Sequence, residues 1–312
     1  MAGRIVITGA TGFIGRALCR ELHTAYEIVA LSRDATRAAG VVGKWARVLE
    51  WDGRTAGLWA GQVDGAHAVI HLAGESVAQG RWTQAKIDSI IQSRTNGAKA
   101  IADTVASART KPSVVIQGSA VGYYGSRGDE ILTEDSLPGA TFLADVCERV
   151  ESLGARVGMA GVRYVAIRTG MVLGLQGGAL PSLMAPFRFF LGGHVGTGNQ
   201  WLSWIGLEDH VRAIRFLLER PSLAGPFNLT APHPATMKQF GRILGGVLHR
   251  PAWTVIPGFA VRLALGGMAD EVILASQKAI PKKLIGAGFE FRYPELKTAL
   301  DAIIRGEGYE SR

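Results

Sequence analysis

An α/β fold is what this sequence predicts: a doubly wound parallel sheet, with a smaller α-rich region after it. Three observations carry the prediction. Six apolar, β-branched runs alternate with helical stretches from the N-terminus onward, the order that gives right-handed crossovers and a parallel sheet. The first run, Ile5-Val6-Ile7, has no polar face, as a strand buried on both sides requires. It leads into Gly9, Gly12 and Gly15 at three-residue spacing, then into a helical stretch from Arg16 to Leu22. Strand, glycine turn and helix in that order make the Rossmann form of the fold the expectation.

Composition sets outer bounds. Of the 312 residues 47% are hydrophobic and 19% charged, enough for a large core and too apolar for disorder. The 41 glycines suit many tight strand-to-helix turns. A net charge of +8 raises nucleic acid or a membrane as partner. The Lys and Arg residues are scattered, however, with no run longer than Lys282-Lys283, so a basic protein with small anionic ligands is the reading, without nucleic acid or membrane. Cys19 and Cys147 have no paired spacing, and the seven His are dispersed, so neither a disulfide framework nor a metal site is expected. The first strand begins almost at Met1, leaving no room for a signal peptide, and no apolar run reaches the ~18 residues of a membrane span. A cytoplasmic location follows as the expectation.

Each element then has a reason. Glycine fits the first turn because a bare Cα lets the chain reverse tightly and lets a pyrophosphate approach the backbone. Thr11, Phe13 and Ile14 share that turn, and the helix behind it presents unpaired N–H groups and a positive dipole end. Glu27 to Leu31 reads as the second strand, ending at Ser32-Arg33. NAD-selective enzymes place an acid there, about 20 residues past the glycines. A hydroxyl and a guanidinium suit a ribose 2′-phosphate instead, which favours NADP(H). Val48 to Asp52 reads as the third strand, with Asp52 at its carboxyl end where an adenine amino group would be met. Ala68 to Leu72 is the fourth, running into Ala73, Gly74 and Glu75, a small-residue turn against which cofactor would lie. His71 reads as a packed strand-end residue.

The helix after Trp82 carries Ile87, Ile90, Ile91, Ala98, Ile101 and Val105 as an apolar stripe, and Arg94 falls inside it. A guanidinium facing a sheet must meet an anion or several acceptors, either a cofactor phosphate or ribose, or an internal pair with Glu75. Pro112 to Gln117 reads as the fifth strand, followed by Gly118 to Gly125 with the Ser119 hydroxyl at a carboxyl strand end, where α/β sheets keep their ligands. Thr141 to Met159 is helical and Tyr164 to Arg168 is the sixth strand, with Arg168 counted among the cofactor contacts. From Gly174 the texture changes: a loop at Gly177-Gly178, a short aromatic helix near Phe187 to Leu191, a glycine-rich loop from Gly192 to Gly198, and a strand from Trp201 to Ile205. Glu208 to Glu219 is helical, and Phe227 to Leu229 returns a last strand to the sheet. Helices Met237 to Leu248, Phe259 to Leu265 and Leu296 to Ile304 complete the chain. Residues 1–173, with 204–230 returning, form the expected cofactor domain; 174–203 and 231–312 form the expected substrate region.

Thr8 to Gly15, Ser32-Arg33, Leu72 to Glu75 and Gly118 to Gly125 together resemble the extended short-chain dehydrogenase/reductase superfamily. More narrowly the chain is similar to its atypical, epimerase-like branch, through Arg81-Trp82, Ser93-Arg94, Gly177-Gly178-Ala179, Gly192 to Gln200, Ile280 to Leu284 and Gly288 to Phe291. The resemblance spans essentially the whole chain. It implies a Rossmann fold, NADP(H), contacts to cofactor from Ser32, Arg33, Leu72, Ala73, Arg94 and Val172, and a small-molecule substrate such as a nucleotide sugar or carbonyl compound. One departure matters. The superfamily's Tyr-x-x-x-Lys pair shuttles a proton while hydride moves. Here the corresponding helix reads Phe142-Leu143-Ala144-Asp145-Val146-Cys147, and neither Leu143 with Cys147 nor Phe142 with Val146 does that work. Ser119 and Tyr124 remain as catalytic candidates, with Tyr123, Cys147, Glu75 and His71 near the same cleft. The expectation is an oxidoreductase or nucleotide-sugar epimerase with a rearranged acid/base; the alternative is a non-catalytic NADP(H)-binding sensor.

Overall fold

The computed structural model describes residues 3–307. In chain order the elements are β1 Arg4–Thr8, α1 Phe13–Leu22, β2 Glu27–Ser32, α2 Ala35–Val42, β3 Arg47–Glu50, β4 Ala68–His71, α3 Gln84–Ser107, β5 Val114–Ala120 and β6 Ile131–Leu132. There follow α4 Phe142–Ala155, β7 Arg163–Thr169, β8 Met171–Leu173, α5 Leu180–Arg188, β9 Gly192–Val195, β10 Trp201–Leu202, β11 Trp204–Gly206, α6 Leu207–Glu219 and β12 Gly225–Leu229. The chain ends with β13 Ala235–Thr236, α7 Met237–Leu248, β14 Ala252–Ile256, α8 Gly258–Leu265, β15 Lys278–Ala279, α9 Lys282–Gly286 and α10 Leu296–Ile304.

Seven strands form one sheet in the order β12-β7-β5-β4-β1-β2-β3, every pair parallel. The doubly wound α/β fold is therefore present. Alternation along β1 shows why: Ile5 and Ile7 pack into the core with Leu18 and Leu22 of α1, Val42 of α2 and Leu217 of α6, whereas Val6 packs with Ile101 and Val105 of α3 on the other face. The last strand returns as expected, β12 lying parallel to β7 with Phe227 beside Ile167. A separate core gathers Leu180, Phe187, Trp204, Phe240, Leu244 and Leu300 from the later elements. Among the described residues no helix is long and apolar enough to cross a membrane.

Several boundaries differ from the sequence reading. The third strand stops at Glu50, so Asp52 lies beyond it in a turn. The expected strand from Trp201 to Ile205 is broken at Ser203, whose buried hydroxyl hydrogen-bonds the Gln277 and Ala279 carbonyls. The glycine-rich stretch contains β9, paired in parallel with β14, so the later region carries strands as well as the expected helices. Glycine there is a packing necessity: a Cβ on Gly193 would lie 1.7 Å from the Thr254 carbonyl oxygen.

Candidate functional site

The glycine turn sits between β1 and α1. Gly9 has φ +69°, the left-handed region that favours glycine, and a Cβ there would stand 2.8 Å from the Ala73 nitrogen. A Cβ on Gly15 would meet the Gly9 carbonyl oxygen at 2.2 Å, so the helix can lie this close to the turn only without a side chain. Gly12 begins α1 with no side-chain cap, which leaves the leading N–H groups free for an anion. Thr11 is exposed and Phe13 and Ile14 half-buried on that approach. The neighbouring end of β4 is latched to it. The Thr8 hydroxyl accepts the Ala73 N–H at 3.1 Å and lies 2.6 Å from His71 Nδ1, so it donates to a neutral imidazole. Complete burial pushes His71 down to about 4, with the Arg94 charge adding to the effect. His71 is thus the packed strand-end residue expected.

Cations line the same edge. Arg33 stands exposed just past β2 and makes no hydrogen bond or ion pair with the protein among the described residues. Glu75 pairs with Lys86 at 2.6 Å; this hydrogen bond, followed by the charges of Lys86, Arg33 and Arg94, holds its carboxyl below the usual range. Arg94, within the buried stripe of α3, donates from Nη1 to the carbonyls of Glu75 (2.8 Å) and Ile90 (3.4 Å). Its partner at Glu75 is thus the backbone and not the carboxylate. The guanidinium crosses Gly74, where a Cβ would lie 3.2 Å from Cζ. Ser32 turns back on its own loop, its hydroxyl donating to the Asp34 carbonyl. Leu72 is half-buried and Val172 buried in β8. The Asp52 carboxylate stands just past β3 in an exposed turn, where it collects the N–H groups of Arg54 and Thr55 and the Thr55 hydroxyl.

At the carboxyl end of β5 the polar groups are linked. The Ser119 hydroxyl donates to Glu151 at 2.7 Å, and Glu151 clamps Arg168 through Nε at 3.0 Å and Nη2 at 2.9 Å. Arg168 is almost fully buried, stacks 3.5 Å over the Tyr123 ring, and donates from Nη1 to the Tyr124 hydroxyl and the Glu134 carbonyl. These bonds commit its guanidinium internally, which sets it apart from the cofactor contact the sequence reading made of it. Tyr124 is fully buried, donates to Asn228 at 2.7 Å and is pushed up to about 12 by burial. A hydroxyl so placed is a packed, hydrogen-bonded group, not one facing a cleft. Cys147 lies beside Ser119 and the Ala120 backbone, and burial raises its thiol pKa, so it is neutral near pH 7. Leu143 approaches Gly122 one turn earlier on α4.

The network reaches the C-terminal residues. Asn228 donates to the Ile280 carbonyl, and Glu134 accepts the N–H groups of Asn228 and Lys283. The Glu271 carboxylate crosses to α4 and takes the N–H groups of Phe142 and Leu143, each at 3.0 Å. Sequence reasoning missed Glu151, Asn228, Glu134 and Glu271. Only Glu151 left a signal, standing four residues after Cys147 on the same helix face. Just after the glycine-rich stretch, Trp204 is core, and Trp201 donates to Asp129 beneath Lys278.

Residues 5–229 match the NAD dependent epimerase/dehydratase family, and residues 256–303 match a domain of unknown function (DUF1731). Epimerase family protein YfhF of Bacillus subtilis (strain 168) is 38% identical over 304 residues, covering 96% of this chain and 97% of that protein. The crystal structure of human epimerase family protein SDR39U1 (isoform 2) with NADPH aligns at a TM-score of 0.87 and 29% identity, over 97% of this chain and 99% of that one. The nucleoside-diphosphate sugar epimerase from Corynebacterium glutamicum aligns at a TM-score of 0.78 and 31% identity, over 97% of this chain and 58% of that one.

Proposed function

Because this chain belongs to the NAD-dependent epimerase/dehydratase family, we propose that it binds NADP(H) and works as an oxidoreductase or nucleotide-sugar epimerase without a Tyr-x-x-x-Lys pair. The observation that carries the reading is the cradle: Gly9 and Gly15 admit no Cβ, α1 opens uncapped, and Arg33 beside them makes no hydrogen bond or ion pair among the described residues. These residues fit a dinucleotide with a 2′-phosphate, the pyrophosphate on the α1 N–H groups and the phosphate on Arg33. NADPH in the human relative is consistent with that choice. Arg94 would add a donor near Gly74, and Leu72, Ala73 and Val172 would supply apolar and backbone contacts. Residues 1–173 and 204–230 would hold the cofactor, and 174–203 with 231–312 the substrate.

Bound NADP(H) would supply hydride transfer at its nicotinamide. The proton falls to the chain's own groups. Ser119 is half-buried at the end of β5 beside the Cys147 thiol, and its oxygen would take a proton from a substrate hydroxyl while its own proton moves to Glu151. Arg168 grips both oxygens of Glu151 through Nε and Nη2 and so holds that carboxylate in place against the Ser119 hydroxyl. A nucleotide sugar is the favoured substrate class, in line with the name of the Corynebacterium relative. A second reading, a non-catalytic NADP(H)-binding protein, is favoured by the burial of Tyr124 and by Leu143 and Cys147 on α4. Titration with NADPH and NADH, then a panel of nucleotide sugars and carbonyl compounds, separates them. Turnover that Ser119→Ala removes supports the enzyme; tight NADPH binding with no conversion across the panel supports the sensor; equal or absent binding of both cofactors overturns the cofactor assignment.

A further inference from the structure

More than half of the large apolar side chains that stand exposed among the described residues come from two short segments. One is the turn after α5, with Phe189 (74% exposed), Phe190 and Leu191. The other runs through β14 into α8, with Trp253 (73%), Phe259 (71%) and Leu263 (76%). The parallel pairing of β9 with β14 sets these segments side by side, and the Trp253 indole donates to the Phe190 carbonyl at 2.9 Å. Phe190 adopts φ 60°, a conformation rare for a bulky aromatic, in closing the turn through Leu191 N–H to Pro186. The backbone therefore accepts strain while leaving three apolar residues in solvent. An exposed cluster of this kind marks a contact surface.

Charge identifies the partner. No Asp or Glu occurs between Glu151 and Glu208, nor between Glu219 and Asp270, so both segments lie in acid-free stretches of the chain. Arg188, next to Phe189, and Arg250 are exposed at the first segment and form no ion pair among the described residues. Arg250 lies 4.7 Å over the Phe190 ring, which joins the basic group to the aromatic one. Two copies of this chain meeting through the face would set Arg188 and Arg250 against their like, while the Asp270 carboxylate at its edge is already held by Arg262 of α8. We infer that this face docks peripherally on an anionic lipid surface, its aromatic and aliphatic side chains entering the interface and its cations meeting the head groups. Such a contact needs neither a membrane-spanning segment nor a run of basic residues.

The test is co-sedimentation of the full chain with vesicles of phosphatidylcholine alone and of phosphatidylcholine mixed with phosphatidylglycerol. Binding to the mixed vesicles, weakened by salt, is expected. The pair Phe259→Ser and Leu263→Ser should weaken it about tenfold, since both side chains are lost from the interface. Arg250→Gln should weaken it about fivefold, one head-group charge contact. Met159→Ser, an exposed apolar residue elsewhere, should leave it unchanged, and matched melting temperatures establish that each variant is folded. Binding that ignores the anionic lipid, or no binding, overturns the inference. So does a dimer in sedimentation velocity without vesicles that Phe259→Ser with Leu263→Ser dissolves, which would assign the face to a second copy.

Discussion

Arg33, Tyr124 and Ser119 differ in what holds them, and their substitutions should differ accordingly. Arg33 is exposed and makes no hydrogen bond or ion pair among the described residues, so Arg33→Ala leaves folding intact. A lost charge-assisted contact to phosphate should cost about 1.5–3 kcal/mol, weakening NADPH roughly ten- to a hundredfold while NADH binding is unchanged; parallel titrations read this. Tyr124→Phe removes a hydroxyl that joins Arg168 to Asn228 inside the core. It should lower unfolding free energy by about 1–3 kcal/mol, the cost of stranding buried partners. Turnover per folded molecule should persist, and a kinetic collapse in a stable variant would place this hydroxyl at the reacting atoms. Ser119→Ala should lower stability by about 1–2 kcal/mol through the hydrogen bond lost to Glu151, while turnover falls about a hundredfold or more, the usual range for lost proton transfer.

Between elements, the contact of Glu271 with α4 is the most consequential. Thr141 caps this helix through its hydroxyl to the Ala144 N–H, yet the Phe142 and Leu143 N–H groups are met from far along the chain by a carboxylate. The negative charge also suits the positive end of the helix dipole. Glu271→Ala should therefore destabilise by about 1–2 kcal/mol and speed hydrogen exchange at the Phe142 and Leu143 amides. Unchanged exchange there would mean that water replaces the carboxylate without cost. The α4 elements legible beforehand were its periodicity and the Leu143-Cys147 register; its partner was not, because a carboxylate more than a hundred residues away leaves no periodic trace. In the same way the spacing of Arg94 in α3 announced a buried cation, while the identity of its acceptors, carbonyls of Glu75 and Ile90, depended on how β4 ends.

For the molecule as a whole, two fully buried imidazoles set the response to acid. His71 is held down to about 4 and His210 to about 3, both chiefly by burial. Between the ordinary value of about 6.5 and these values the unfolded chain binds protons that the folded chain refuses. Their contribution is therefore complete above about pH 6.5 and is lost as pH falls through the folded-state values, on the order of 3 kcal/mol for His71 alone. Denaturant titrations at about pH 7.5 and about pH 5 should show the midpoint falling with acid, and a flat profile would mean these rings are not sealed from solvent. The sequence by itself determined the parallel sheet, the glycine turn and the Arg33 terminus, because period, turn chemistry and strand ends are local properties. It also carried the absence of Tyr and Lys from α4. Only the tertiary structure decided that Tyr124 is sealed against Asn228, that Arg168 is clamped by Glu151, and that Ile280 and Lys283 close the same network. Those outcomes rest on hydrogen bonds between residues far apart in the chain, and pairing at that range is fixed by how the layers pack, not by any neighbouring residue.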